Sequence, residues 1–311
     1  MDPAAANESA RPGRASRIRA VAKIWSSSEI DHSGGSVTVA VSKPQGEDSR
    51  RVTISFGDQP LGYELDFCYE QQQGNSIVFE REVQPLIHRV FGGNNVTTIV
   101  TGTNDGEKSR LIQGLSEDRG LITLTAAAMI EMAKKNEKII SVSMFEATSD
   151  RVFDILDSTN RYVLPMGDSA KNFQLKGLSR VTVVSTQAFQ NLFDSGFCKS
   201  KLSSEPFRKS HIGLTFYVST PEGQLVGKIN FVDLAGYQNI RKRNYQASSL
   251  PMIMKINKSI HAVHNVLYAL SANEIHVPYR ETKLTHMLQD SFGGASTILL
   301  ITCLVRLSLR H

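Results

Sequence analysis

Along the chain, short apolar runs alternate with stretches in which apolar residues recur every three or four positions. The runs, rich in valine, isoleucine and threonine, predict strands over residues 18–25, 37–41, 52–56, 97–101, 138–145, 212–219, 228–233 and 297–305. The periodic stretches predict helices over 77–91, 108–113, 121–134, 186–194, 250–272 and 283–289. The helix over 250–272 carries the clearest stripe, formed by Ile256, Ile260, Val263, Leu267 and Leu270. Ser249 and Pro251 suit its start, because serine caps free amides and proline is tolerated in a first turn. Lys255 and Lys258 fall off the stripe and face solvent or an acidic partner.

Alternation of this kind implies an α/β fold with a central mixed, mostly parallel β-sheet flanked by helices on both faces. With 311 residues, no internal repeat and no long linker, the chain reads as one large domain with a substantial core. A content of 41% hydrophobic and 21% charged residues is ordinary for a globular protein. The net charge of +5 favours an acidic partner without choosing one. Cys68, Cys198 and Cys303 have no metal-like spacing and read as buried small hydrophobes in a reducing compartment. Residues 1–16 are small, polar and basic, lack the apolar core of a secretory signal, and read as a flexible tail. The run at 298–305 is too short to span a bilayer, and a membrane partner is not expected.

Candidate chemistry begins where the strand over 97–101 ends. There follow Gly102, Thr103, Asn104, Asp105, Gly106, Glu107, Lys108 and Ser109. In a phosphate loop, glycines let backbone amides approach the phosphate oxygens, a lysine reaches the terminal phosphates, and the next hydroxyl ligates Mg²⁺. Gly102, Lys108 and Ser109 suit those roles. Asp105 and Glu107 oppose them: a carboxylate about 6 Å from a phosphate charge costs roughly 2–3 kcal/mol at an effective dielectric of about 20. The loop therefore reads either as a weakened nucleotide site or as an ordinary strand-to-helix connection. The strand over 228–233 ends in Asp233-Leu234-Ala235-Gly236, where a carboxylate can hold Mg²⁺ through water and a glycine amide can sense a terminal phosphate.

These motifs precede INKSIHAVHNVLYALS at 256–271 and IHVPYRETKLTHMLQDS at 275–291. In this order the set closely resembles a kinesin motor domain from Arg17 to Val305. The resemblance implies the kinesin-type P-loop NTPase fold over 17–305, with ATP and Mg as cofactors and microtubules (tubulin) as partner. It also implies a cytoplasmic, cytoskeletal location, and no nucleic acid is expected. It assigns Ser210, Asp233 and Gly236 to catalysis, Ser109 and Asp233 to the metal, and residues 102–109 to the nucleotide. It assigns Lys255, Lys258, Arg280 and Lys283 to the microtubule, with Arg241, Lys242 and Arg243 adding basic charge nearby.

The departures from the family pattern concentrate at the nucleotide. Glu107 stands where the family has glycine. Phe207, Arg208 and Lys209 replace Ser-Ser-Arg, and Tyr237-Gln238 replaces Ser-Glu. The family's closing arginine–glutamate pair becomes Lys209 with Gln238, which lacks both the bidentate fork and the negative charge. Lys23-Ile24-Trp25-Ser26 replaces the family's Arg-x-Arg-Pro; Trp25 or Arg110 can stack on a base, and Trp25 reads equally well as a packed aromatic. Residues 306–311 form a short end where the family continues into a final helix and neck, and no coiled-coil heptads are present. Two functions fit. One is an ATP-dependent microtubule motor with an eroded site. The other is a non-catalytic microtubule-binding or regulatory module that keeps the fold for its surface.

Overall fold

The computed structural model of the protein describes residues 18–27, 37–42, 50–56, 59–102, 105–115, 117–157, 159, 162–166, 174–199, 210–238, 240, 247–293 and 296–307. The expected tail at 1–16 and the basic run Arg241–Arg243 lie outside them. In chain order the strands are β1 (Ile18–Ser27), β2 (Val37–Ser42), β3 (Arg50–Phe56), β4 (Gln59–Leu65), β5 (Phe67–Tyr69), β6 (Asn95–Gly102) and β7 (Ile139–Ala147). They continue with β8 (Val152–Asp154), β9 (Leu164–Met166), β10 (Gln174–Lys176), β11 (Val181–Thr182), β12 (His211–Ser219), β13 (Leu225–Asp233) and β14 (Thr297–Leu307). The helices are α1 (Asn75–Val78), α2 (Gln84–Phe91), α3 (Asp105–Ile112), α4 (Leu121–Lys135), α5 (Thr186–Lys199), α6 (Leu250–Ser271), α7 (Lys283–Met287) and α8 (Gln289–Phe292).

A nine-stranded sheet organises the molecule in the order β11-β7-β12-β13-β6-β14-β1-β5, with β8 paired to β7. Strands β13, β6, β14, β1 and β5 run parallel to one another, and β7 shares their direction because two antiparallel steps separate it from β13. The expected mixed, mostly parallel sheet is therefore present. Parallel strands covered on both faces must be apolar nearly throughout, and β6 is buried from Val96 to Val100. One core gathers Val90, Ala126, Met129, Phe189 and Phe216 beneath α2, α4 and α5. The other gathers Val263, Leu267, Leu284, Met287 and Phe292 beneath α6, α7 and α8. Cys68 and Cys303 are buried thiols, as expected, and the Cys198 side chain lies outside the described residues. Among the described residues no helix is long and apolar enough to cross a membrane.

Four expectations need correction. The helix after β6 starts at Asp105 rather than at residue 108, so Asp105 to Lys108 form its first turn and the connecting loop is shorter. The helix expected over 77–91 is interrupted by a π-turn at Phe79–Val83. The helix expected over 283–289 divides at Leu288, whose φ of −92° and ψ of 4° leave the helical region. Strand β4 escapes a periodicity reading because Pro60 and Gly62 interrupt its apolar alternation; it forms by antiparallel pairing with β3.

Candidate functional site

Parallel strands place their carboxyl ends along one edge, where ligands of such sheets bind. Here that edge runs from Asp233 on β13 through Gly102 on β6 and Cys303 on β14 to Trp25 on β1. Gly102 has φ +155°, and a Cβ there would lie 2.6 Å from the Cys303 carbonyl oxygen, so glycine is required by backbone and by space alike. Lys108 leaves the first turn of α3 fully buried, and its Nζ donates to the Gly102 carbonyl at 3.4 Å. Glu107 stands beside it, with Oε2 buried and without a hydrogen bond among the described residues. Burial pushes the Cys303 thiol up to about 12; Lys108 opposes the shift, and Asp233 and Glu107 add to it. One cation and two carboxylates thus act on the same thiol.

Ser109 is half-buried behind Lys108, and Asp233 is 3% exposed at its strand end. A hydroxyl and a carboxylate form the oxygen donor set that a hard cation such as Mg²⁺ takes, so these two residues fit the metal role. The Glu107 carboxyl fits a triphosphate poorly, since it brings negative charge to the lysine that would meet the phosphates. Thr103 and Asn104 lie outside the described residues, as does the side chain of Asp105.

The remaining site residues are tied to their neighbours. Ser210 is buried, and its Oγ donates to Glu146 Oε1 on β7 at 2.5 Å. His211 follows it at the start of β12. The Ala235 N–H donates to His211 Nδ1 at 3.0 Å, so Nε2 carries the ring proton. Nε2 then donates to Ser259 Oγ on α6 at 2.6 Å, and Ser259 Oγ donates to the Ile256 carbonyl at 2.7 Å. Two residues beyond Gly236, the Gln238 N–H donates to Asn257 Oδ1 at 3.1 Å. Asn257 Nδ2 returns a bond to the Gln238 carbonyl at 2.8 Å. The Gln238 amide turns back onto the Gly236 carbonyl at 3.1 Å. The loop after β13 is therefore fastened to the middle of α6. Lys209, the expected partner of Gln238, lies outside the described residues.

On the far side of α6, Lys255, Lys258, Arg280 and Lys283 are all exposed. Lys255 Nζ lies 2.7 Å from Asp150 Oδ2, and the hydrogen bond from Lys255 holds the Asp150 carboxyl below its ordinary range. Arg280 sits in a 3₁₀ turn at Tyr279–Glu281. Lys283 opens α7, whose start is fixed by a reciprocal Thr282–Thr285 capping box. Sequence reading missed Glu146, Asn257, Ser259 and Asp150 as partners. Only the apolar spacing of α6, which turns Asn257 and Ser259 toward the core with Ile256 and Ile260, hinted at two of them.

The kinesin motor domain model matches residues 17–309. The kinesin-like protein KIN-10C of Arabidopsis thaliana is 42% identical over 296 residues, which cover 93% of this chain and 42% of that protein. KIN-10B of the same plant is 35% identical over 279 residues, covering 87% of this chain and 44% of that protein. The chain thus spans less than half the length of these curated relatives. Among solved structures, the motor domain of the kinesin-like protein Kar3 from Saccharomyces cerevisiae superposes with a TM-score of 0.75 at 21% identity, covering 93% of each chain. That likeness confirms the fold. With a sheet whose carboxyl edge carries Gly102, Lys108 and Asp233, a loop after β13 bonded to α6, and a family match over nearly all its length, the chain belongs to the kinesin motor domain family.

Proposed function

We propose that this is a kinesin-like microtubule-binding protein, derived from an ATP-dependent microtubule motor, whose ATP site is eroded. One observation carries the reading: the cations of the α6–α7 face stand in solvent, whereas Lys108 is buried against Gly102 with the Glu107 carboxyl beside it. A basic, exposed, rigidly mounted surface suits the acidic surface of tubulin. Mg-ATP, when bound, would supply the energy of phosphoryl transfer, with Ser109 and Asp233 holding the metal. This chain's own residues limit that chemistry. Glu107 disfavours the phosphates, Ser210 is engaged by Glu146, and Gln238 carries no charge to receive a closing cation. The location that follows is the microtubule cytoskeleton of the cytoplasm.

The same observations favour a second reading, a non-catalytic microtubule-binding module. Microtubule co-sedimentation combined with microtubule-stimulated phosphate release separates the two. Salt-sensitive pelleting with slow, measurable phosphate release supports the eroded motor. Pelleting without any release supports the module, and failure to pellet at low salt defeats both.

A further inference from the structure

The lysines of α6 belong to a longer row. Lys255, Lys258, His261 and His264 follow one another at three-residue steps, and all four are exposed. At about 100° per residue such a row slants across the outer side of the helix, with Lys258 and His261 at its middle and His264 toward one flank. Neighbours in it are roughly 4.5 Å apart along the axis, well inside the distance over which salt screens a charge. The whole of α6, from Leu250 to Ser271, contains no acidic residue.

The two histidines are held in place by an aromatic ladder. Tyr237, in the loop after β13 where the family has serine, stands edge-on to the His261 ring, with centroids 6.0 Å apart and planes at 84°. The His261 ring stands edge-on to His264 at 6.5 Å and 88°. Loss of solvent around the ring lowers the pKa of His264 from its ordinary 6.5, and the neighbouring His261 lowers it further. Among the described residues, the elements packed against α6 add Tyr237 from the loop, Arg280 and Glu281 from the 3₁₀ turn, and Lys283 and His286 from α7. Glu281 is engaged by α6 itself, because the Asn265 amide donates to its Oε2 at 3.2 Å.

We propose that His261 and His264 are proton-taking members of the docking face, charged by an acidic microtubule surface laid over α6, so that binding tightens as pH falls. Lysine and arginine hold their charge throughout the neutral range, whereas histidine gains or loses it there. A partner carboxylate favours the imidazolium, so the complex holds more protons, drawn from solvent, than the separated partners. Affinity therefore rises as pH falls through the range in which histidine titrates, about 7.5 to 6, and levels off on either side. Lys258 and the second histidine oppose charging on the free chain, and the negative surface of the partner offsets that repulsion. The inference rests on the reading that the α6–α7 face docks microtubules.

The test is co-sedimentation of the purified chain with stabilised microtubules at pH 7.6 and 6.4, at one fixed low ionic strength. The wild type should bind about fivefold or more tightly at the lower pH. His261→Gln with His264→Gln keeps polar side chains and removes the titration, and its affinity should change less than about twofold. His261→Lys with His264→Lys supplies fixed charge. It should bind at pH 7.6 as tightly as the wild type does at 6.4, and nearly independently of pH. Titration of the polymer itself affects all three proteins alike, so the readout is the difference between them. A glutamine variant with the pH dependence of the wild type would overturn the proton uptake alone, and so would a lysine variant no tighter than the wild type at pH 7.6. A wild type that fails to pellet at either pH would overturn the docking reading and the proton uptake together.

Discussion

The carboxyl edge of the sheet and the face carried by α6 and α7 are built on the same scaffold, and both are rich in lysine and arginine. They differ in what those cations meet. On the α6–α7 face Lys258, Arg280 and Lys283 stand exposed, on α6, in the 3₁₀ turn at Tyr279–Glu281 and at the capped start of α7. At the carboxyl edge Lys23 and Lys108 are fully buried and donate to main-chain carbonyls. A cation in water keeps its long-range attraction for an acidic partner, whereas a buried cation coordinated from within has its charge answered locally. The residue type is the same in the two regions, and its availability is not.

The largest effect expected concerns the exposed cations. Replacing Lys258, Arg280 and Lys283 together by alanine should weaken salt-sensitive co-sedimentation with microtubules about a hundredfold, on the order of 1 kcal/mol for each charge removed. If the triple variant pellets like the wild type, the docking face lies elsewhere.

Next comes the opposing charge at the other region. Glu107→Gly with Asp105→Gly should tighten Mg-ATP binding by about tenfold or more, since removing one like-charge contact is worth roughly 2 kcal/mol. Calorimetry that finds unchanged affinity from an already tight wild type would show that the turn tolerates its carboxylates.

A smaller effect sharpens the contrast inside the basic face itself. Lys255 is a candidate contact there whose charge is shared with a carboxylate, Asp150. Asp150→Ala should free it and tighten microtubule binding about twofold at low salt, the modest scale of an exposed pair. Weaker binding by the variant would mean that Asp150 positions Lys255 rather than masking it.

A further effect is one of pH. Burial pulls Lys23 from its ordinary 10.5 down to about 8 in the folded chain. Between those values the unfolded chain keeps a proton that the folded chain releases, so stability rises with pH across that window; below about 8 both states hold the proton and the slope vanishes. Urea midpoints at pH 7.5 and 9.5 should therefore diverge between the wild type and Lys23→Met, the wild type gaining relative to the variant as pH rises. Parallel profiles would mean that Lys23 titrates as an ordinary lysine.

Much of the architecture was legible in the chain because it depends on local periodicity. The apolar runs of β6, β12 and β13 and the stripe Ile256, Ile260, Val263, Leu267 declare themselves without a partner. Gly102, Lys108, Ser109, Ser210, Asp233 and Gly236 could be named as candidates from the chain, because their spacing repeats a family pattern. Lys255 and Lys258 of α6 were legible as exposed because they fall off the apolar stripe.

What the tertiary structure alone decided is where each polar group's bonds go. Whether Lys108 reaches into solvent or folds onto Gly102 depends on burial beside Cys303, a residue 195 positions away in the chain. The link from His211 to Ser259 joins residues 48 positions apart. Lys23 and Arg110 both lie over the Trp25 ring, a contact that unites the end of β1 with the first turns of α3. Short strands such as β8 and β11 exist because a neighbour offers hydrogen bonds, not because their own residues demand it. Periodicity is a property of adjacent residues and survives in the sequence. The partner of a buried donor is set by packing between distant segments, and no local pattern records it.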